Sequence, residues 1–154
     1  MRRWGYFVET STEKYELMRQ LDVGLVHNVS KKDFTVLWVG RYIGWKRVDT
    51  LLSAFEKFIR TGRVGRLTLI GRGEKEGELR RFVKRAGLDA FVSFKSAVPI
   101  EEVRLEMRRA DVLVCSSNGT EGWGAVVSEA MEEGCTVIAT RECGSGACLV
   151  QHGE

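Results

Sequence analysis

The sequence is poor in several residue types that organise other proteins. It holds one proline, two histidines and four cysteines among 154 residues. A single proline leaves little of the chain to read as linker. Cys115, Cys135, Cys143 and Cys148 include no C-x-x-C pair, and only His27 and His152 could join them, so no zinc site is expected. The thiols read as free cysteines of a reducing cytosol. No apolar run reaches the ~18 residues of a membrane helix. The opening stretch MRRWGYFVETS has two arginines but no apolar run after them, so no signal peptide is expected. A formal net charge of +3 is too modest to call for a nucleic acid. What remains is an ordinary soluble composition, 44% hydrophobic, long enough for one domain with a sizeable core.

The pattern along the chain is alternating. Residues 1–34 are the least regular and read as a junction segment, with Ser11 or Thr12 placed to cap a short helix through Gln20. From Phe34 onward short apolar runs alternate with helical spacing. TVLWVG, RLTLIG, FVSF, DVLVCSS and TVIAT have the near-continuous apolar character of strands covered on both faces. Val48, Leu51, Leu52, Phe55, Phe58 and Ile59 recur at helical spacing, as do Leu79, Phe82, Val83 and Ala86 up to a capping Gly87. Ile100, Val103, Met107 and Ala110 mark a third helix and residues 125–134 a fourth, in which Val126, Val127, Ala130, Met131 and Gly134 could share a buried face. Strands joined by helical crossovers predict an α/β fold, a Rossmann-like doubly wound parallel sheet with helices on both faces.

Ligands of such sheets bind beyond the carboxyl ends of the strands. The chemistry-bearing residues gather at those ends. Gly40 and Arg41 close the first strand, and Lys46 stands just before the first helix. Two cations beside a helix N-terminus suit a diphosphate, although either could be a solvated loop charge. Gly71 and Gly73 follow the second strand, but position 76 is Glu76, so the G-x-G-x-x-G fingerprint of dinucleotide binding fails. These two glycines fit a close backbone approach to a ligand, or a plain tight turn. The stretch SSNGTEGWGAVVSEAMEEGC sets Glu121 in a glycine-rich loop and Glu129 eight positions on, in a helix. Gly122 and Gly124 free the backbone around Glu121, so amides there can face a ligand. Glu129 lies off the centre of its helix's apolar face, and a solvated glutamate is the plain alternative. Two carboxylates at one mouth can accept from the hydroxyls at the two ends of a sugar nucleotide.

Read together, these segments resemble the C-terminal, donor-binding domain of a retaining family-4 glycosyltransferase, of the "glycosyl transferases group 1" family. EGWGAVVSEAMEEG fits that family's Glu-x7-Glu segment throughout. VGRYIGWKRVDTLLSAF fits its G-R-x4-K element, and LIGRGE and VSFKSAVPIEEV follow in the expected order. The resemblance covers residues 35–152. It implies one half of a fold with two Rossmann-like domains facing across a cleft, with residues 35–154 as the nucleotide-sugar-binding domain, C-terminally truncated. It implies that Arg41 and Lys46 hold the donor diphosphate and that Glu121 contacts the transferred hexose. Together these three form the catalytic set. The backbone of Gly122, Trp123, Gly124 and Ala125 would cradle sugar and phosphate, and Glu129 would bind the ribose. Gly40, Gly71 and Gly73 complete the donor site, and the loop at Lys95 and Val98 lines the base. No cofactor and no metal ion are implied. The donor would be a UDP- or GDP-linked sugar, and the acceptor a glycan or lipid-linked glycan held by an N-terminal domain outside this chain. The setting would be polysaccharide synthesis in the cytoplasm or at the cytoplasmic membrane face. The isolated chain is expected to bind donor and to transfer sugar poorly, because closure of two domains assembles such a site.

The chain departs from that pattern at Arg47, where the family usually has Gly, and in RECGSGACLV, which lacks a common Pro. Arg80, Arg81, Lys84 and Arg85 form a basic helix face, solvated in the plain reading, with an anionic membrane or the absent domain as the alternative. Two rival functions share the same fold. A sugar-nucleotide epimerase should lack the full glycine-rich Glu-x7-Glu segment, and a non-catalytic nucleotide-binding module would bind without transfer. An NAD-dependent oxidoreductase is disfavoured because GRYIGW is not its fingerprint.

Overall fold

The computed structural model describes residues 33–150. The junction segment and its short helix lie, apart from the last two residues, outside the described residues. The elements alternate as the spacing predicts: β1 (Phe34–Arg41), a 3-10 turn (Gly44–Lys46), α1 (Val48–Arg60), β2 (Gly65–Arg72), α2 (Glu76–Ala86), β3 (Val92–Lys95), α3 (Ile100–Arg109), β4 (Val112–Cys115), α4 (Ala125–Glu132), β5 (Thr136–Ala139) and α5 (Gly144–Leu149). The strands form one parallel sheet in the order β3-β2-β1-β4-β5. The fold is therefore the Rossmann-like α/β sheet that the sequence predicts.

Burial explains the arrangement. Leu37, Leu67, Leu69, Ile70 and Leu113 are all at most 1% exposed, as residues of strands covered on both faces must be. On one face α1 packs Val48, Leu51, Leu52 and Phe55 beside Leu79 and Val83 of α2. On the other, Val103 and Met107 of α3 and Ala130 of α4 close over Leu37, Ile70 and Leu113. Each fully buried leucine contributes roughly 1.5–3 kcal/mol. Trp38 stacks on Tyr42 with ring centroids 5.4 Å apart, and the Tyr42 hydroxyl donates to the Leu69 carbonyl at 3.1 Å. Burial pushes that phenol well above its ordinary pKa, so it stays neutral. Trp38 is thus a core residue.

Local chemistry sets the boundaries. Gly87 takes a left-handed conformation (φ 67°) and caps α2, its N–H reaching the Val83 and Lys84 carbonyls. The β1–β4 pairing is pinned at the amino end by Asp111, whose Oδ2 accepts from the Thr35 amide and hydroxyl, both at 2.7 Å. This pin matters because the site described below lies at the opposite end of these two strands. The chain winds outward from β1 through β2 to β3, then returns to place β4 on the other side of β1. The loops leaving β1 and β4 lead to helices on opposite faces, and the switch-point crevice at the carboxyl ends of these two strands is the usual ligand position in such sheets.

Two expectations are corrected. The buried face of α4 is narrower than its apolar spacing suggests. Val127 and Ala130 are buried, but Met131 is 44% exposed and Gly134 lies past the helix in an exposed turn (φ 78°). A short helix offers few inward positions, and the one at the end of α4 is taken by Glu133. The second correction is α5. Its glycines suggest a loop, yet a short helix forms there with Cys143 as its N-cap, the thiol accepting from the Gly146 amide at 3.4 Å. Among the described residues, no helix is long and apolar enough to cross a membrane.

Candidate functional site

The loops that leave β1 and β4 are fastened to each other. The Asn118 amide donates to the Trp45 carbonyl at 2.9 Å, and the Ser116 hydroxyl to the Lys46 carbonyl at 2.7 Å. Main-chain bonds thus fix the Lys46 backbone, and its side chain reaches across the crevice to form an ion pair with Glu121 Oε2. Both side chains are largely shielded, 16% and 15% exposed. The same oxygen accepts from the Ser117 hydroxyl at 2.9 Å. The two residues that the sequence assigned separately, one to a diphosphate and one to a sugar, form one unit here. An ammonium has three donors, so Lys46 keeps two for another anion.

Backbone chemistry builds the second wall. The carbonyls of three successive residues turn toward α5. Gly122 accepts from the Gly144 amide at 3.0 Å, Trp123 from the Ser145 amide at 2.8 Å, and Gly124 from the Ser145 hydroxyl at 2.9 Å. In a trans peptide the N–H points opposite to the C=O, so the amides of Trp123, Gly124 and Ala125 face away from α5. No acceptor meets the amides of residues 122–126 among the described residues. They form an open row of donors at the positive end of α4. Gly124 is required here, because its φ is 76° and a Cβ would stand 3.0 Å from the Ser145 hydroxyl. The sequence located this segment but not the element that shapes it. Ser145, fully buried, gave no signal because a serine in a glycine-rich stretch reads as a turn.

The remaining candidates divide. Arg41 ends β1, is exposed, and lies over the Trp45 ring at 6.0 Å, at the mouth of the same crevice. Glu129 is half-buried on α4, and no hydrogen bond or ion pair holds its carboxylate among the described residues. The Trp123 indole N–H is buried and lacks an acceptor there. Gly71 and Gly73 have another explanation than room for a ligand. A Cβ at Gly71 would collide with the Gly40 carbonyl, and one at Gly73 would stand 2.5 Å from the Tyr42 carbonyl. The close approach they permit is to the protein's own chain. Lys95 ends the edge strand β3 and pairs with Glu106 at 3.1 Å, while Val98 packs half-buried against the α3 face. Neither touches the Lys46–Glu121 pair.

Arg47 explains its own oddity. It is the one non-glycine residue with positive φ among the described residues (49°), and it caps α1 while reaching Glu142 at 3.6 Å. The family's glycine suits such a backbone, and an arginine there is strained. Among the described residues no three His, Cys, Asp or Glu side chains form a metal-binding group. Cys115, Cys135 and Cys143 are buried free thiols and Cys148 is exposed.

Comparisons with known proteins identify the family and the fold. The family model "Glycosyl transferases group 1" matches residues 26–154. A D-inositol 3-phosphate glycosyltransferase of Pseudarthrobacter chlorophenolicus is 35% identical over 133 residues, which is 83% of this chain and 31% of the relative. The chain thus spans about a third of the length of that curated relative. The crystal structure of Anabaena HepE in complex with UDP-glucose superposes with a TM-score of 0.69 at 26% identity, covering 94% of this chain and 38% of that one. The C-terminal domain of the group 1 glycosyl transferase LpcC from Francisella tularensis superposes at 0.68 with 25% identity, over 77% of this chain and 63% of that one. The chain belongs to the glycosyl transferases group 1 family, matching its C-terminal domain.

Proposed function

We propose that this chain is the donor-binding part of a glycosyltransferase, which moves a hexosyl group from a nucleoside-diphosphate sugar to an acceptor hydroxyl with retention at the anomeric carbon. The observation that carries the reading is the shielded Lys46–Glu121 pair, set at the sheet's switch point beside a loop whose amides 122–126 meet no acceptor among the described residues. Lys46, Arg41 and the amides of residues 123–125 supply positive potential for a diphosphate. Glu121 and Glu129 supply acceptors for hydroxyls of the hexose and the ribose. The UDP-glucose held by the HepE structure supports a nucleotide sugar as the ligand class.

In the reaction, the bond between C1 of the sugar and the phosphate oxygen breaks, and its electrons remain on the leaving diphosphate. Lys46, Arg41 and the α4 amides stabilise that growing charge, a role that calls for no metal ion. The acceptor oxygen bonds to C1 and gives up its proton to the leaving diphosphate. Acceptor recognition falls to a second domain, and the setting is glycan synthesis on the cytoplasmic side. Calorimetric titration of the chain with UDP, GDP and ADP tests the reading. One nucleotide should bind. Lys46→Ala should weaken it about 10- to 100-fold, the worth of a charge-assisted bond, and Glu129→Ala somewhat less. A folded chain that binds none of the three, or variants that bind as the parent does, would refute it.

A further inference from the structure

Glu121 is anchored through one oxygen only. Oε2 accepts from both Lys46 and the Ser117 hydroxyl, while no hydrogen bond reaches Oε1 among the described residues. Ser117 is 1% exposed, and its surroundings fix the direction of its proton. A carboxylate can only accept, so the single hydroxyl proton goes to Glu121. The lone pairs face the Cys115 thiol, which points at Ser117 Oγ from 3.8 Å. The Ser117 carbonyl is held in turn by the Thr140 hydroxyl, which ties it to the loop after β5. Ser117 is therefore clamped at its hydroxyl and at its carbonyl.

From this geometry we infer that Ser117 is a positioning residue, which holds Glu121 by Oε2 so that Oε1 stands free to accept a hydroxyl of the transferred sugar. This rests on the proposed donor site. Lys46 cannot do the holding alone. An ammonium is a charge without strong directional preference, and a bound diphosphate competes for it. A bound diphosphate shares Lys46 with Glu121, whereas the Ser117 hydroxyl serves the carboxylate alone. A loss at Ser117 should thus fall on the sugar and spare the nucleotide, which a merely structural serine would not do.

The test compares nucleotide with nucleotide sugar, using UDP against UDP-glucose and GDP against GDP-mannose on the same chain. Ser117→Ala should bind the nucleotide within about twofold of the parent and the nucleotide sugar about tenfold more weakly, as loss of one hydrogen bond to a charged group allows. Ser117→Thr, which keeps the hydroxyl, should recover most of that loss. Thr140→Val releases the Ser117 carbonyl from the other side. It should give the same selective loss in smaller degree, and it serves if Ser117→Ala does not fold. Equal losses for nucleotide and nucleotide sugar, or no loss for either, would overturn the assignment. A parent chain that binds neither ligand would overturn the donor-site reading and this inference with it, whereas a parent that binds both alike in every variant would overturn the inference alone.

Discussion

Glu121 and Glu133 are both largely withdrawn from water, with side chains 15% and 0% exposed, and both meet cations. They differ in how completely they are met. Glu133 lies between α3 and α4, where Arg108 Nε donates to Oε2 and Arg104 Nη1 to Oε1 at 3.4 Å. Both of its oxygens are engaged. Glu121 has one oxygen doubly engaged and the other open. Burial of a carboxylate is costly unless partners satisfy it. Where partners take every oxygen, the group joins two helices. Where they take only one, a shielded acceptor is left for something else. The comparison separates a carboxylate that holds the fold together from one that keeps an acceptor open, although burial alone makes them look alike.

The largest effect should come from stripping the satisfied carboxylate. Arg104→Ala with Arg108→Ala leaves Glu133 far less compensated, and about 3 kcal/mol of stability should go. Nucleotide affinity of the folded fraction should remain at the parent value. Urea unfolding and calorimetry on one preparation check both halves, and a double variant that loses affinity but keeps stability would reverse the comparison. Next comes pH. Cys135 lies on the same α3–α4 face, and burial pushes its thiol from an ordinary value near 9 up to about 11. The folded state thus keeps a proton that the unfolded chain releases. The associated stability is complete below pH 9 and is lost as pH rises toward 11. That loss is on the order of 2 kcal/mol. Melting temperatures across that window should fall less steeply in Cys135→Ala than in the parent. The smallest effect is expected on the site side. Arg47→Gly relieves a left-handed arginine and should raise stability by about 1 kcal/mol. The exposed Arg47–Glu142 pair that it forfeits contributes little. A lower melting temperature in Arg47→Gly would show that this pair outweighs the strain.

How much of this could be read from the chain follows physical range. Alternating strands and helices, the Gly87 cap and the placing of Lys46 and Glu121 just beyond strand ends depend on neighbours within a few residues, and they were legible. The Lys46–Glu121 pair was not, because it requires β1 and β4 to be adjacent. Glu133 looked like one more acidic residue at a helix end. Its burial is decided by arginines on α3, about 25 residues upstream. Gly71 and Gly73 fitted either a ligand's approach or a plain turn, and the neighbours whose approach they admit are the backbone of Gly40 and Tyr42. Ser117 and Ser145 carried no signal at all. A serine's role is set by what its hydroxyl meets: for Ser117 a carboxylate four residues on, for Ser145 the Gly124 carbonyl of another loop.

The clasp between the loops after β1 and β4 has a consequence for the order in which the molecule is made. Its bonds close stretches of 70 to 75 residues, while β1 and β2 align residues such as Val36 and Leu67 from nearer in sequence. Ring closure over longer stretches costs more entropy, and distant contacts slow folding. The amide row waits longer still, since Ser145 in the last described helix sets its orientation. A partly folded chain with β1, β2 and β3 in place would carry most of one face of its core and no grip on a phosphate. With the proposed donor site, nucleotide should therefore not rescue an early intermediate, and binding competence should arrive late in folding.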